Sequence, residues 1–542
     1  MKIVVVGAVA AGTSVIAKAR RNNEKVEIVA YTSGSDISYS GCGIPYYIGE
    51  DYIKRGNLTP RDAEWFESRF NMKLNINHKV LSVNPNLKTI EVLNEITGET
   101  FEDSYDKLVI TTGARPRKID FDNKNIFYIR DVETGDKLKK FIHETSPKKA
   151  LIVGSGYIGL EMVENLIQRG IEVTVIEMNN SIGRLDPDIS IYLEKYLEKK
   201  GVNLILGDSV KDISVDGKTI TTNRGKSIKI DFIVAAIGVI PNVEFLEGSG
   251  IELGKSRAIK VNRYLETNLP DIYAAGDCAT TYSLLTGEET YVPLGSTANK
   301  MGRILGDRIT GGSLEFKGIL GTSIFKIFDM VVASTGLDET EALEKGYSIE
   351  IIHNIKPNQT EYLEASREMV IKAIADRKTG KLLGVQILGE NGVDKRIDVF
   401  ATLLTFGATV DQLFHLDLAY APPFSTTKDP VNYTGMILNN AINGKNKIIT
   451  PKELNEKRDE FLIIDVRSKS QYEVAHIEDA INIPLETLRE RIKELDKSKK
   501  IAVHCNKGVT GNMAQNILLN NGFDVSNISG GYSNYSIISK KS

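Results

Sequence analysis

The chain has 542 residues, 41% hydrophobic and 26% charged, with a formal net charge of −3. That length divides into roughly three to four domains with ample core, and the near-neutral balance argues against a nucleic-acid or anionic-membrane surface. No apolar run reaches the ~18 residues of a membrane span, no signal peptide is expected, and neither a nucleic-acid nor a membrane partner is expected. Cys42, Cys278 and Cys505 lie far apart. That spacing fits a reducing cytoplasm rather than a disulfide framework, and no Cys/His cluster has metal-ligand spacing, so no metal is expected.

Lys2 to Val6 reads as a buried strand, Gly7-Ala8-Val9-Ala10-Ala11-Gly12 as a turn, and the following residues through Arg21 as a helix. A strand, glycine turn and helix begin a dinucleotide-binding fold, with pyrophosphate at the helix N-terminus. Val9 replaces the middle glycine. The second strand, Val26 to Ala30, is followed by Thr32 where an acidic residue would hold the ribose. Taken alone, this first motif leaves a nucleotide site and a plain α/β turn both open.

The stretch Ser38-Tyr39-Ser40-Gly41-Cys42-Gly43-Ile44-Pro45-Tyr46-Tyr47-Ile48-Gly49 sets a cysteine between glycines, four residues after Ser38. The thiolate is the reactive form of cysteine, and a loop leading into a helix is expected to lower the thiol pKa through its backbone N–H groups. The competing reading is a small buried hydrophobe in a turn.

The second glycine turn is complete. Ala150 to Val153 is a strand, Gly154-Ser155-Gly156-Tyr157-Ile158-Gly159 has all three glycines, a helix runs to about Arg169, and the strand Glu172 to Ile176 ends at Glu177. A carboxylate there accepts hydrogen bonds from an adenosine ribose and repels a 2′-phosphate, which favours NADH; Arg184 downstream keeps NADPH open. Tyr105 to Pro116 (YDKLVITTGARP) and Asp231 to Asn242 (DFIVAAIGVIPN) each read as a buried strand running into a glycine turn. In Thr267 to Asp277 (TNLPDIYAAGD) a strand end places the Asp277 carboxylate where it can bond a ribityl or ribose hydroxyl. Cys278 beside it reads as structural. The candidate cofactor positions are Gly7, Val9, Ala10, Gly12, Thr32, Ser38, Thr111, Gly113, Gly154, Gly156, Tyr157, Ile158, Glu177, Gly238, Gly276 and Asp277.

Two dinucleotide motifs, with the YDKLVITTGA link between them and the TNLPDIYAAGD strand after them, resemble the FAD- and pyridine-nucleotide-dependent disulfide reductases over about residues 1–445. The resemblance implies FAD at the first turn, NADH (with NADPH as the second choice) at the second, and a C-terminal domain that makes a homodimer. Many relatives use a CxxxxC pair, whereas Cys42 has no near cysteine, so a mixed disulfide with substrate or a sulfenic acid is implied. SxxxCxxPYYxG, Tyr362 in QTEYLEA and Tyr420 in AYAPPFS resemble the single-cysteine coenzyme A-disulfide reductases and persulfide reductases. In that group both tyrosines reach the cysteine of the opposite subunit. Ser14, Lys18, Arg21, Ser38, Arg69, Asn299 and Lys428 resemble coenzyme A positions; each cation also fits a solvated surface charge.

A polar, proline-containing stretch at residues 446–455 reads as a linker. Beyond it come a strand ending Asp465-Val466-Arg467, the segment Ala475-His476-Ile477-Glu478-Asp479-Ala480-Ile481-Asn482-Ile483-Pro484, and a strand, Ile501 to His504, that delivers Cys505 into a loop before a helix. Such a loop surrounds a sulfur anion with N–H groups. The pattern resembles a rhodanese domain over residues 456–542, with Thr510 where many members have arginine.

The expected architecture is α/β: a Rossmann-like FAD domain (1–115 and 241–325), a Rossmann-like NAD(P) domain (116–240), an α+β dimerisation domain (326–445) and an α/β rhodanese domain. The expected activity is reduction of coenzyme A disulfide, coenzyme A persulfide or polysulfide, with Cys42, Tyr362, Tyr420 and Cys505 as catalytic residues. The alternative is an NADH oxidase or peroxidase cycling Cys42 through a sulfenic acid.

Overall fold

The computed structural model describes residues 1–121 and 123–539. They form two compact units, Met1–Asn179 with Val202–Ile319, and Asn180–Gly201 with Leu320–Ser542.

The first unit holds two five-stranded parallel sheets. One has the spatial order Ile272–Ala274, Lys107–Ile110, Lys2–Val6, Glu27–Thr32, Lys73–Ile76. The central strand is an unbroken apolar run because both faces are covered, and Ile3, Val4 and Val5 are fully buried. The second sheet is ordered Asn203–Leu206, Glu172–Glu177, Lys149–Val153, Phe232–Ala235, Ile126–Phe127. The YDKLVITTGARP and DFIVAAIGVIPN segments run on from their buried strands and meet as an antiparallel ribbon, Ala114–Pro116 against Val239–Pro241. Helix Ala10–Asn22 lies against helix Gly295–Ile309. A Cβ on Gly302 would come within 2.3 Å of the Ala11 carbonyl oxygen, and one on Gly306 within 2.6 Å of that of Val15. Two glycines four apart therefore let these helices touch.

The second unit begins with an antiparallel sheet ordered Ser323–Ile327, Met330–Gly336, Leu382–Gly389, Glu368–Asp376, Ile349–Pro357. A parallel sheet follows, ordered Lys447–Ile449, Val525–Ile528, Lys500–His504, Phe461–Asp465, Ile481–Asn482. The stretch expected as a linker at 446–455 is therefore not one. Lys447–Ile449 is the edge strand of that sheet, and Thr450 opens helix Pro451–Glu456 with Glu453 bonding back to it. Thr450-Pro451-Lys452-Glu453 is a capping box whose proline sits at the first helical position, a start signal hidden by the polar composition.

Residues 180–201, expected inside the NAD(P) domain, group with the second unit. The Lys372 ammonium is fully buried there, 3.0 Å from Asp186, 2.9 Å from Asp188 and 2.7 Å from Glu339. These three carboxylates could hold a cation, and Lys372 supplies that charge. His353 spans the same network, 2.8 Å from Asp188 and 3.0 Å from the hydroxyl of Ser529, which follows strand Val525–Ile528. Burial alone would raise the Asp188 pKa, but Lys372 and His353 outweigh it and hold the carboxyl far below its usual range. Removing one member of such a network costs about 3–5 kcal/mol, because a buried charge is left uncompensated. Among the described residues no helix is long and apolar enough to cross a membrane.

Candidate functional site

Both glycine turns are built to take an anionic ligand. Gly7 has φ +99° and Gly154 φ +96°, so each strand can reverse into its helix. The helices Ala10–Asn22 and Tyr157–Gln168 start at Val9 and Gly156 with no capping side chain, the form of helix start that suits an anionic ligand. A Cβ on Gly156 would meet nothing within 4 Å, so the second turn opens outward. The Thr111 hydroxyl donates to the carbonyls of Val6 and Gly7 (3.0 and 2.8 Å) and fixes the first turn, while the Ser38 N–H donates to Ala8 (3.1 Å). Thr32 is buried at the end of its strand. Glu177 is 8% exposed; its Oε2 accepts from the Ser155 N–H (2.9 Å) and hydroxyl (2.7 Å), and its Oε1 from the Asn179 N–H (2.9 Å). Gly113, Gly238 and Gly276 all take positive φ at the turns that leave their strands. Tyr157 and Ile158 open the helix, and Ile158 is exposed. These features fit two dinucleotides, one at each turn.

Cys42 is exposed in a single 3₁₀ turn, Gly41–Gly43, that runs into helix Ile44–Gly49. The expected lowering of its pKa is not what the structure gives. Protein packed around the turn pushes the thiol up, the carboxylates of Glu161 and Asp277 add to that, and only Arg130 opposes them. A helix of six residues has too little dipole to overcome two carboxylates. Glu161, on the helix of the second glycine turn, is itself raised to about 7 by burial and by Glu164. Tyr46 is pushed up to about 12 by burial, then by Glu161, Glu164 and Cys42. The Arg130 guanidinium holds Asp277 at 2.9 Å, so the carboxylate expected to bind a sugar hydroxyl is already oriented. Cys278 is fully buried and its thiol is pushed up to about 11, chiefly by burial, in keeping with a structural role.

Of the coenzyme A candidates, Ser14 and Asn299 come together, the Ser14 hydroxyl donating to Asn299 Oδ1 at 2.8 Å. Lys18, one turn along from Ser14, pairs with Asp307 at 3.1 Å. Arg21 and Arg69 are exposed.

In the second unit Tyr362 and Tyr420 are 74% and 48% exposed, too open for core residues. Their loops are joined: the Thr360 N–H donates to the Pro422 carbonyl at 3.2 Å. Beneath them lies Arg396, 1% exposed, donating to the carbonyls of Asn358 and Phe424, to the Ser425 hydroxyl and to Asp429. Burial would raise Asp429, but Arg396, the Val431 N–H and the Ser425 hydroxyl hold it below the usual range. Lys428 is exposed at the edge of this patch.

Cys505 is buried, its Sγ accepting from the Gly508 N–H at 3.2 Å, and Gly508 at φ +95° starts helix Val509–Asn520. Arg467 grips Asp465 through two N–H groups and donates to the Ala475 carbonyl. The Asn482 amide bonds the carbonyls of Asp465 and Arg467, both at 3.0 Å. The D-V-R and A-I-N-I-P motifs thus brace the loop end of the sheet. Arg130, Glu161 and Arg396 were not foreseen from the sequence. Each acts on residues more than twenty-five positions away, and no local pattern marks them.

Residues 1–302 match the family described as pyridine nucleotide-disulphide oxidoreductase, residues 322–430 its dimerisation domain, and residues 450–537 the rhodanese-like domain. A coenzyme A disulfide reductase of Staphylococcus aureus (strain bovine RF122 / ET3-1) is 35% identical over 437 residues, 80% of this chain and 99% of the relative. The crystal structure of reduced Bacillus anthracis CoADR-RHD is similar at 37% identity with a TM-score of 0.98, covering 100% of this chain and 98% of that one. The NAD-dependent persulfide reductase from A. fulgidus is similar at 34% identity with a TM-score of 0.92, covering 99% of this chain and 100% of that one. On these matches and on the two glycine turns, the chain belongs to the pyridine nucleotide-disulphide oxidoreductase family and carries a C-terminal rhodanese-like domain.

Proposed function

We propose that the protein is a homodimeric, NADH-dependent FAD enzyme that reduces coenzyme A disulfide, coenzyme A persulfide or polysulfide at Cys42, with Cys505 as a sulfur carrier. The observation that carries this reading is an exposed cysteine between glycines, with all three cysteines of the chain free. With no second cysteine to close an internal disulfide, the second sulfur must come from the substrate.

FAD at the Gly7–Gly12 turn, with Thr32 and Asp277, and the nicotinamide cofactor at the Gly154–Gly159 turn, with Glu177, would together supply two electrons to the Cys42 sulfur. The chain's own residues do the rest. Cys42 thiolate attacks one sulfur of the substrate; the new Sγ–S bond forms, the old S–S bond breaks, and its electron pair leaves on the departing thiolate. Glu161, with its pKa about 7 and its charge felt by Cys42, can hold or release a proton at neutral pH. Arg130 favours the anionic form of Cys42. Tyr362 and Tyr420, exposed on joined loops, are suited to reach the opposite subunit and donate to the leaving thiolate. Ser14, Lys18, Asn299 and Lys428 are the groups offered to coenzyme A.

Cys42→Ser tests this. The variant is expected to bind FAD and accept reduction by NADH, yet to lose anaerobic turnover of coenzyme A disulfide. Retained disulfide turnover would refute the assignment, and NADH consumption with oxygen or peroxide alone would favour an oxidase.

A further inference from the structure

The loop that carries Cys505 is shaped from outside itself. The Gly508 N–H donates to the Cys505 sulfur at 3.2 Å, and that N–H belongs to the Lys507–Gly508 peptide. The peptides on either side of it are both held by their carbonyls. The Ser533 N–H donates to the Asn506 carbonyl at 2.9 Å, and the Asn527 side-chain amide donates to the Gly508 carbonyl at 3.0 Å. The Tyr532 N–H donates to the Cys505 carbonyl at 2.8 Å. Peptide units are planar, so holding both neighbours narrows the directions in which the Gly508 N–H can point. That direction matters here, because the charged side chain of the loop, Lys507, is paired with Glu368 and Thr510 is neutral. An N–H aimed at a thiolate or a persulfide anion stabilises its charge.

All three carbonyls are held by one stretch, Asn527 to Ser533. It runs so close to the loop that only glycine fits at the nearest point. Gly530 and Gly531 have φ +70° and +62°, and a Cβ on Gly531 would lie 2.5 Å from the Cys505 carbonyl oxygen. The stretch is in turn fastened to residues that precede the rhodanese-like domain. The Ser529 hydroxyl accepts from the His353 backbone N–H at 2.7 Å and lies 3.0 Å from the Nδ1 of the same residue, whose Nε2 is 2.8 Å from Asp188. The Ser529 carbonyl accepts from the Asn534 amide at 3.0 Å, and Asn534 Oδ1 accepts from the Tyr192 hydroxyl at 2.8 Å. His353, Ser529 and Asn534 are all buried, so water does not compete for these bonds.

We propose that His353 and Ser529 are positioning residues for Cys505: the edge strand Ile349–Pro357 of the antiparallel sheet, through its His353, locks Ser529 and so sets the loop that aims the Gly508 N–H at the sulfur. Ser529 fixes the start of the Gly530-Gly531 turn, and the turn delivers the Tyr532 and Ser533 N–H groups to the carbonyls of Cys505 and Asn506. Neither His353 nor Ser529 needs to touch the sulfur. The proposal rests on the sulfur-carrier reading of Cys505. The rhodanese-like fold thus takes part of the shape of its sulfur site from the sheet that precedes it in the chain.

The test uses full-length FAD-loaded protein. Iodoacetamide labelling of Cys505 is followed by peptide mass spectrometry across about pH 6 to 10, which gives the pH midpoint of thiol ionisation. Ser529→Ala is expected to slow labelling at neutral pH by about 3- to 10-fold and to move the midpoint up to match, because a misdirected N–H stabilises the thiolate less. Ser529→Thr keeps the hydroxyl and is expected to stay close to the parent. Anaerobic turnover of coenzyme A disulfide, which uses Cys42, is the folding control and is expected to be unchanged. If the alanine variant fails to fold, Tyr192→Phe, which releases Asn534, replaces it with the same expectation. Sulfite release from thiosulfate, with cyanide as acceptor, is expected to fall in the same order. There the Cys505 thiolate attacks the outer sulfur, an Sγ–S bond forms, the S–S bond of thiosulfate breaks, and its electron pair leaves with sulfite; cyanide then removes the bound sulfur as thiocyanate. An unmoved midpoint in Ser529→Ala would overturn the proposal, as would faster labelling at every pH, which would mean that the contact only packs the loop shut. A threonine variant displaced as far as the alanine one would overturn it too. A moved midpoint with no sulfite from any protein, parent included, would leave the positioning role in place and overturn the sulfur-carrier reading instead.

Discussion

Glu177 is the residue whose removal says most about the nicotinamide site. Its carboxylate offers about four acceptor positions. Ser155 occupies both on Oε2 through its N–H and hydroxyl, and Asn179 occupies one on Oε1. One acceptor remains for a ribose hydroxyl, held rigidly by three existing bonds. A hydrogen bond to a charged group contributes about 1.5–3 kcal/mol, so Glu177→Ala should raise KM for NADH by roughly 10- to 150-fold. A 2′-phosphate placed against the same carboxylate meets a like charge in a site that is only 8% exposed. That repulsion costs about 1–3 kcal/mol with partial screening, so the parent should prefer NADH over NADPH by ~10- to 100-fold in kcat/KM. The variant should narrow that ratio from both sides, losing NADH affinity and gaining NADPH affinity. Anaerobic steady-state kinetics with coenzyme A disulfide measures all four constants. A parent that prefers NADPH, or a variant whose ratio equals the parent's, would refute the reasoning; the first outcome would point to Arg184 or another cation.

Two further outcomes follow from the rhodanese-like fold. His504 is fully buried, its Nε2 lacks a hydrogen-bond acceptor or donor among the described residues, and its pKa falls to about 4. Below the unfolded value near 6.5 the unfolded chain takes up a proton that the folded one refuses, so stability is full above about pH 6.5 and falls by roughly 2–4 kcal/mol towards pH 4. Hydrogen-exchange protection of strand Lys500–His504 should fall over that window, and His504→Gln should flatten the fall; a pH-independent parent would contradict it. Cys505→Ser should leave coenzyme A disulfide reduction running while slowing polysulfide turnover several-fold, measured as NADH consumed per sulfide released. Equal polysulfide rates would reduce the rhodanese-like domain to a structural module.

What the sequence determined by itself were elements whose signal is short-range and complete. Gly154 to Glu177 is a strand, turn, helix and acid within one run, and its hydrogen bonds to Ser155 close inside that run. The Gly41-Cys42-Gly43 turn and the strand–Cys505–helix loop are equally local, so their backbone shape was legible. The linker at 446–455 was misread because a three-residue edge strand carries almost no periodicity, and its identity depends on Val525–Ile528, which comes much later in the chain. Only the tertiary structure decided the electrostatics. The Cys42 thiol is raised first by the protein packed around its turn and then by the carboxylates of Glu161 and Asp277, both more than a hundred residues away in the chain. Arg130 finds Asp277, Arg396 fastens the two tyrosine loops, and Glu368 at a strand end meets Lys507 of the Cys505 loop. A charged side chain looks the same in sequence whether it ends in solvent or against a thiol. Its energy depends on burial and on the nearest charges, and folding, not spacing along the chain, chooses those.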